Sequence, residues 1–182
     1  MRSMIFAVCV FAAACSGRNL DSPTSPTTAT STPGQTLAQS GTQLPFSGSF
    51  TGESSSVINC PPTCPPTTLT INGVRKGTAT HLGAFTATIE DAVDLATATA
   101  TGTFNLTAAN GDQLFTMTSG GEDEFIPPNV SRVTSIATVV GGTGRFANAS
   151  GTFTVRYSGV IDFAAGTSSE SGSFEGQINL NK

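Results

Sequence analysis

The sequence predicts an all-β domain whose strands close into an eight-stranded antiparallel up-and-down β-barrel, preceded by a signal peptide and a disordered tether. Three observations carry this. Long stretches alternate strictly between apolar or small residues and threonine or serine, the period of a half-buried strand. Turn chemistry punctuates them at Asn72-Gly73, Asn110-Gly111-Asp112 and Gly166. About eight such runs follow one another with no long 3.6-period segment between them, and an antiparallel meander of that length packs as a sandwich or closes on itself. An even strand number and short connections favour closure, which also removes the exposed edges.

The chain opens MRSMIFAVCVFAAACSGR: one arginine, an apolar run from Met4 to Ala14, three alanines, then Cys15. This is a signal peptide, too short to span a bilayer as a helix. Small residues directly before a cysteine resemble the lipobox of bacterial lipoproteins. There, cleavage falls before the cysteine and Cys15 carries the lipid. The alternative is ordinary secretory cleavage near Ala14 with Cys15 an incidental thiol. Residues 15–44 are dominated by Ser, Thr, Pro and Gly, cannot bury enough surface to offset chain entropy, and read as a flexible tether. The organisation expected is therefore 1–14 signal peptide, 15–44 lipid-anchored tether and 45–182 barrel domain. Ser16 after the lipid cysteine points to the outer membrane or periplasmic face if the host is Gram-negative.

Composition narrows the partners. Removing residues 1–14 takes away Arg2 and leaves seven basic against twelve acidic side chains, a formal charge of minus five. The few cations are scattered, so no nucleic acid partner is expected. Cys60 and Cys64, in Cys60-Pro-Pro-Thr-Cys64-Pro-Pro, read as a disulfide stapling a proline-rich loop, with free thiols as the alternative. Zinc would need more ligands, and redox work of the thioredoxin type needs two intervening residues rather than three. Neither a metal nor a cofactor is expected.

The elements follow in order. Runs at about 45–53, 67–73 and 76–91 are rich in Thr, Val, Ile and Phe. From 96 to 106 the even positions are Ala, Ala, Ala, Gly, Phe, Leu and the odd ones mostly Thr. Runs at 112–120 and 130–140 come next. Phe153, Val155, Tyr157, Gly159 and Ile161 then oppose Thr152, Thr154, Arg156 and Ser158, and Phe174, Gly176, Ile178 and Leu180 oppose Ser173, Glu175, Gln177 and Asn179. Between 120 and 128, Gly120-Gly121-Glu122-Asp123-Glu124-Phe125 has one residue too many for the GGDEF motif of diguanylate cyclases. It reads as a solvated acidic loop before Pro127-Pro128, without the spaced ligands of a calcium loop.

Gly142-Thr143-Gly144-Arg145-Phe146-Ala147 fits the GxGxxG/A pattern of a dinucleotide turn, and Asp162 lies about where the ribose-binding acid would fall. That turn must follow a buried parallel strand and open a helix, because the pyrophosphate sits on the helix N-terminus. Here at most one helical turn follows before an alternating strand begins at Gly151, and Asp162 has solvent-facing parity. No nucleotide partner is expected.

The same stretch, Val139-Val140-Gly141-Gly142-Thr143-Gly144-Arg145-Phe146, resembles the Val-x-Gly-Gly-Thr-Gly-x-Phe signature of the allene oxide cyclase and dirigent barrel superfamily. Gly77-Thr-Ala-Thr-His-Leu-Gly-Ala-Phe85 and Thr107-Ala-Ala-Asn-Gly-Asp-Gln-Leu-Phe115 are similar to segments of its bacterial members of unassigned function. The resemblance implies an eight-stranded antiparallel barrel over the domain from about Pro45. In it Gly141, Gly142, Thr143 and Gly144 shape a turn and Phe146 caps one end of the core. The plant cyclase's active-site segments do not align, so the resemblance places no catalytic residue.

The catalytic inventory is thin: one histidine and no serine in a GxSxG elbow. The chain's only His and only Tyr, His81 and Tyr157, share parity with inward residues and are the candidates for proton transfer or hydrogen bonding in a cavity. Phe85, Phe104 and Phe153 would line it with them. The plain alternative is two satisfied polar side chains in a filled core. Three functions stay open. The chain is a noncatalytic surface lipoprotein binding a small apolar molecule or a partner protein; a cyclase-, isomerase- or dirigent-like enzyme on an apolar substrate; or a structural envelope protein. Its oligomeric state is unspecified by the sequence.

Overall fold

A computed structural model of the chain describes residues 42–59, 67–97 and 99–180. The segment Met1–Ala14, the Cys15 anchor and the Cys60/Cys64 pair all lie outside the described residues.

Eight strands form one closed antiparallel barrel: β1 Gln43–Asn59, β2 Thr68–Ala79, β3 Gly83–Asp94, β4 Thr99–Ala108, β5 Gln113–Ile126, β6 Val130–Gly142, β7 Ser150–Asp162 and β8 Thr167–Asn179. Each strand pairs with its sequence neighbours, and β1 closes on β8 from Gln43 opposite Asn179 to Ser55 opposite Thr167. Gln43 and Leu44 already belong to this ladder, two residues before the expected domain start at 45. One short 3-10 turn, Gly144–Phe146, joins β6 to β7.

Two boundaries differ from expectation. Asn72-Gly73 is the middle of β2, not a turn, and the run 76–91 is broken at residues 80–82. The physical reason lies inside the barrel. A Cβ on Gly73 would stand 2.5 Å from Arg75 Nη1 and 2.6 Å from Ser54 Oγ, so this glycine makes room rather than turns the chain. The actual turn is closed by Thr80, whose hydroxyl accepts the Ser47 amide at 3.0 Å, and by His81 in the left-handed region at φ 63°. The acidic segment read as a loop is strand as well: Glu124, Phe125 and Ile126 pair with Arg132, Ser131 and Val130 after a register shift between Ser119 and Glu122.

One half of the interior is solid. Phe46, Phe50, Phe85, Phe104, Phe153 and Phe174 are all at most 4% exposed and stack with ring centroids 5.0–6.4 Å apart. Leu82 from the β2–β3 turn and fully buried Phe146 from the β6–β7 turn close that end. Six rings fit one small barrel because inward positions beside them are glycine: a Cβ on Gly48 would meet Phe174 Cζ at 2.5 Å, and one on Gly172 would meet Phe50 Cζ at 2.8 Å.

Candidate functional site

The other half, on the side of the β3–β4, β5–β6 and β7–β8 turns, is open. Its walls are apolar: Ile71 from β2, Val93 from β3, Ala100 from β4 and Val133 from β6, with Leu95 and Phe125 at the mouth. They enclose a cup of about 210 Å³. Phe125, half exposed, stacks edge-on against Phe163 of the β7–β8 turn at 6.2 Å.

Polar groups enter the cup from four strands. Asp91 of β3, Thr118 of β5, Ser135 of β6 and Tyr157 of β7 all line it. Thr118 Oγ1 donates to Asp91 Oδ1 at 2.9 Å although a whole strand, β4, lies between them. The register explains the reach: Gly102 faces Asp91 on one side and Thr118 on the other. A Cβ on Gly102 would sit 2.1 Å from Asp91 Oδ1, so the missing side chain is the space the carboxylate occupies. Burial holds the Asp91 carboxyl above the ordinary carboxylate range, opposed by the Thr118 bond and the field of Arg75.

Arg75 of β2 stands behind Tyr157, fully buried, with its guanidinium carbon 5.8 Å from the ring centroid. It forms an ion pair with Glu170 of β8, and it donates to the Glu53 carbonyl at 3.1 Å and to Ser54 Oγ at 3.0 Å. Ser54 and Ser168 hydroxyls in turn donate to Glu170 Oε1 at 2.8 and 2.7 Å. Burial lowers the Arg75 pKa, offset by the fields of Tyr157 and Asp91. The barrel thus grades from a phenylalanine core through a buried ion pair to an apolar cup holding one carboxyl group.

The sequence-derived candidates are distributed unevenly. Tyr157 is half-buried, lines the cup and packs against Phe50. His81 is not in the interior: the turn at 80–82 breaks the parity that pointed it inward, and it lies exposed with Nε2 3.1 Å from the Pro45 carbonyl. Phe85, Phe104 and Phe153 belong to the solid core and none lines the cup. At the closed end, Gly141 and Gly144 adopt φ 136° and 53°, Thr143 Oγ1 accepts the Gln113 amide at 2.9 Å, and Phe146 is buried. Asp162 is exposed and accepts the Ala164 and Ala165 amides at 2.9 and 3.0 Å, the task of a turn residue.

Arg75, Asp91, Thr118 and Glu170 escaped the sequence reading, yet a signal existed. Asp91 continues the inward parity of Phe85, Ala87 and Ile89, Glu170 that of Gly172 and Phe174, and Arg75 that of Gly77 and Ala79. Among the described residues, no group of three or more His, Cys, Asp or Glu side chains is placed to hold a metal ion.

No family model matches the chain, and no curated protein does. Among solved structures, the chain is similar to the pterocarpan synthase dirigent protein GePTS1, at 14% identity and a TM-score of 0.48 over 84% of this chain and 97% of that one. A second, the pterocarpan synthase dirigent protein PsPTS1, matches at 13% identity and a TM-score of 0.45 over 79% and 97%.

Proposed function

We propose that this chain is an exported, lipid-anchored barrel protein whose cup binds a compact, mostly apolar molecule. The observation that carries the reading is the cup itself: an apolar chamber that ends on one hydrogen-bonded carboxyl group rather than on packed side chains. Convergent polar groups in an apolar concavity are the usual anatomy of a small-molecule site. Its volume falls below the roughly 300–1,000 Å³ of drug-sized pockets. A dry cavity of about 150 Å³ takes benzene, so one ring with a short substituent is the right scale. Anchoring through Cys15 rests on the alanines before that cysteine and the Ser/Thr/Pro-rich segment after it.

The test is to recover the full-length protein from the cells that make it, then combine native mass spectrometry with solvent extraction. A small compound at one per chain, displaced when Ala100→Leu fills the cup, supports the reading. A clean protein mass that persists after challenge with a library of single-ring lipophiles overturns it. The N-terminal fragment is weighed in the same experiment, and an acylated Cys15 is the mass expected. An unmodified cysteine or a start at another residue would remove the anchor.

One observation favours a second reading, isomerisation or cyclisation of an apolar substrate: Asp91, held toward its neutral acid form, and Tyr157 share the chamber. Under that reading, the compound extracted from wild-type protein is an isomer of the one extracted from Asp91→Asn. Identical compounds exclude it.

A further inference from the structure

We propose that the molecule the cup selects is a cation, a primary ammonium on a compact apolar body such as a single ring with a short alkyl arm. The inference rests on the binding reading above and names its ligand class.

The argument is one of charge matching inside a closed wall. Among the described residues, three inward ionisable groups besides Tyr157 occupy this half of the barrel: Arg75, Glu170 and Asp91. Arg75 is paired with Glu170 and bonded to the Glu53 carbonyl and Ser54 hydroxyl through its Nη atoms, while its buried Nε has no hydrogen-bond partner. Glu170 in turn takes the Ser54 and Ser168 hydroxyls as well as the guanidinium. One guanidinium therefore stands against two carboxyl groups, and the carboxyl left over is Asp91. It is also the one of the three that lines the cup.

Asp91's surroundings come from every strand that packs on it. Arg75 from β2 acts on it at a distance, already countered by Glu170 of β8. Gly102 of β4 contributes only space, Thr118 of β5 gives one neutral hydrogen bond, and Tyr157 of β7, with Arg75 over its ring, lines the same cup. Neighbouring Glu90 and Asp94 are exposed on the outer face, where solvent screens them. An ionised carboxylate in such a place is costly without a counter-cation, so burial shifts Asp91 of the empty site toward its protonated form. An ammonium entering the cup supplies the missing charge and favours the ionised carboxylate. Tyr157 and Phe125 bring aromatic rings to the lining, and Ile71, Val93 and Val133 hold the apolar body. A carboxylate ligand would face Asp91 with like charge, and a neutral alcohol would gain a hydrogen bond but leave the charge unmatched.

Calorimetry on the full-length protein with 2-phenylethylamine, 2-phenylethanol and 3-phenylpropionate decides this, since the three share one ring and a short arm. The amine is expected to bind about tenfold or more tighter than the alcohol at pH 7.5, with the carboxylate weakest. From pH 3.5 to 7.5 the amine stays protonated, so its affinity should fall toward acid as Asp91 takes up a proton, and should do so at a higher pH than an ordinary carboxylate would require. Asp91→Asn should erase the preference for the amine while leaving the alcohol within about threefold. If that variant does not fold, the pH slope of the wild type decides alone. Alcohol binding equal to or tighter than amine, or amine affinity that does not fall between pH 7.5 and pH 3.5, overturns the cation and leaves the cup as a site for neutral ligands. Failure of all three probes to bind overturns the cation and the binding reading with it.

Discussion

Arg75 and Glu170 meet across Gly52. In the register of the barrel Gly52 faces Arg75 on β2 and Glu170 on β8, and a Cβ there would lie 2.6 Å from Arg75 Cδ. The arrangement recurs. Asp91 and Thr118 meet across Gly102, Phe46 and Phe153 across Gly176, and Phe50 and Tyr157 across Gly172. Side chains two strands apart are ordinarily too far to touch, since adjacent strands lie about 4.8 Å apart. Glycine on the strand between lets each pair lean together, and so builds both the core and the site.

The buried ion pair is predicted to be a liability when halved. Glu170→Gln leaves a buried guanidinium without its counter-charge, and Arg75→Met leaves a buried carboxylate. Each should cost about 3–5 kcal/mol. The double variant Arg75→Met/Glu170→Leu should be closer to wild type than either single one, because an apolar pair of similar volume removes both desolvation penalties. Urea midpoints of the four proteins test this; strictly additive losses would show that the pair is not coupled.

Gly102→Ala strikes the second bridge. Its Cβ would approach not only Asp91 Oδ1 but the Glu90 carbonyl oxygen, also at 2.1 Å, and a backbone atom does not step aside as a side-chain end does. A loss of about 1–3 kcal/mol, typical of overpacking, is expected. Gly83→Ala is the comparison, since its Cβ would meet nothing within 4 Å and carries only the strain of φ 70°, about 1–2 kcal/mol. Thermal unfolding of both proteins ranks them, and only Gly102→Ala should alter ligand binding.

Much of the fold was legible because parity survives without knowledge of register. Phe153, Val155 and Tyr157 alternate with polar residues whatever lies beside them, so strand identity and inward face could be read from β7 alone. The site was less legible for the same reason. That Asp91 has Gly102 and then Thr118 beside it is a fact about three strands in register, and nothing within one strand announces it. His81 shows the opposite failure: a three-residue turn inside an apparently continuous run reset the parity. Asn72-Gly73 misled because a glycine serving as space for Arg75 looks, in sequence, like one serving a turn.

Asp91 also predicts the pH dependence of the empty protein. Its folded pKa lies above the unfolded value, so its contribution to stability is fully present below the unfolded pKa, near 3.8, and is lost as pH rises through the folded pKa. Asp94 works the other way: the Ala96 and Thr97 amides lower its pKa, and its contribution is lost as pH falls. Subtracting the pH–stability curve of Asp91→Asn from that of wild type isolates Asp91. The difference should turn against wild type as pH rises and be constant in the most acidic range. A difference flat across the whole range would mean that the carboxyl is not buried as described.

The two halves of the barrel should respond to mutation in opposite ways. Phe153→Ala removes a ring packed against Phe46, Phe104 and Phe174, and a large aromatic truncation in a close-packed core costs about 3–5 kcal/mol. Ala100→Leu instead adds apolar atoms to a space that is already vacant, so it should leave stability unchanged or raise it slightly. Binding should reverse the order. Phe153→Ala, if measured well below its unfolding temperature, keeps every residue that lines the cup and should retain ligand within about threefold, an energy of well under 1 kcal/mol. Ala100→Leu should abolish it. Paired thermal melts and calorimetry on the two variants check this directly. If Ala100→Leu lowers stability as much as Phe153→Ala does, the space beside residue 100 is not vacant, and the division of the barrel into a solid half and an open half is wrong.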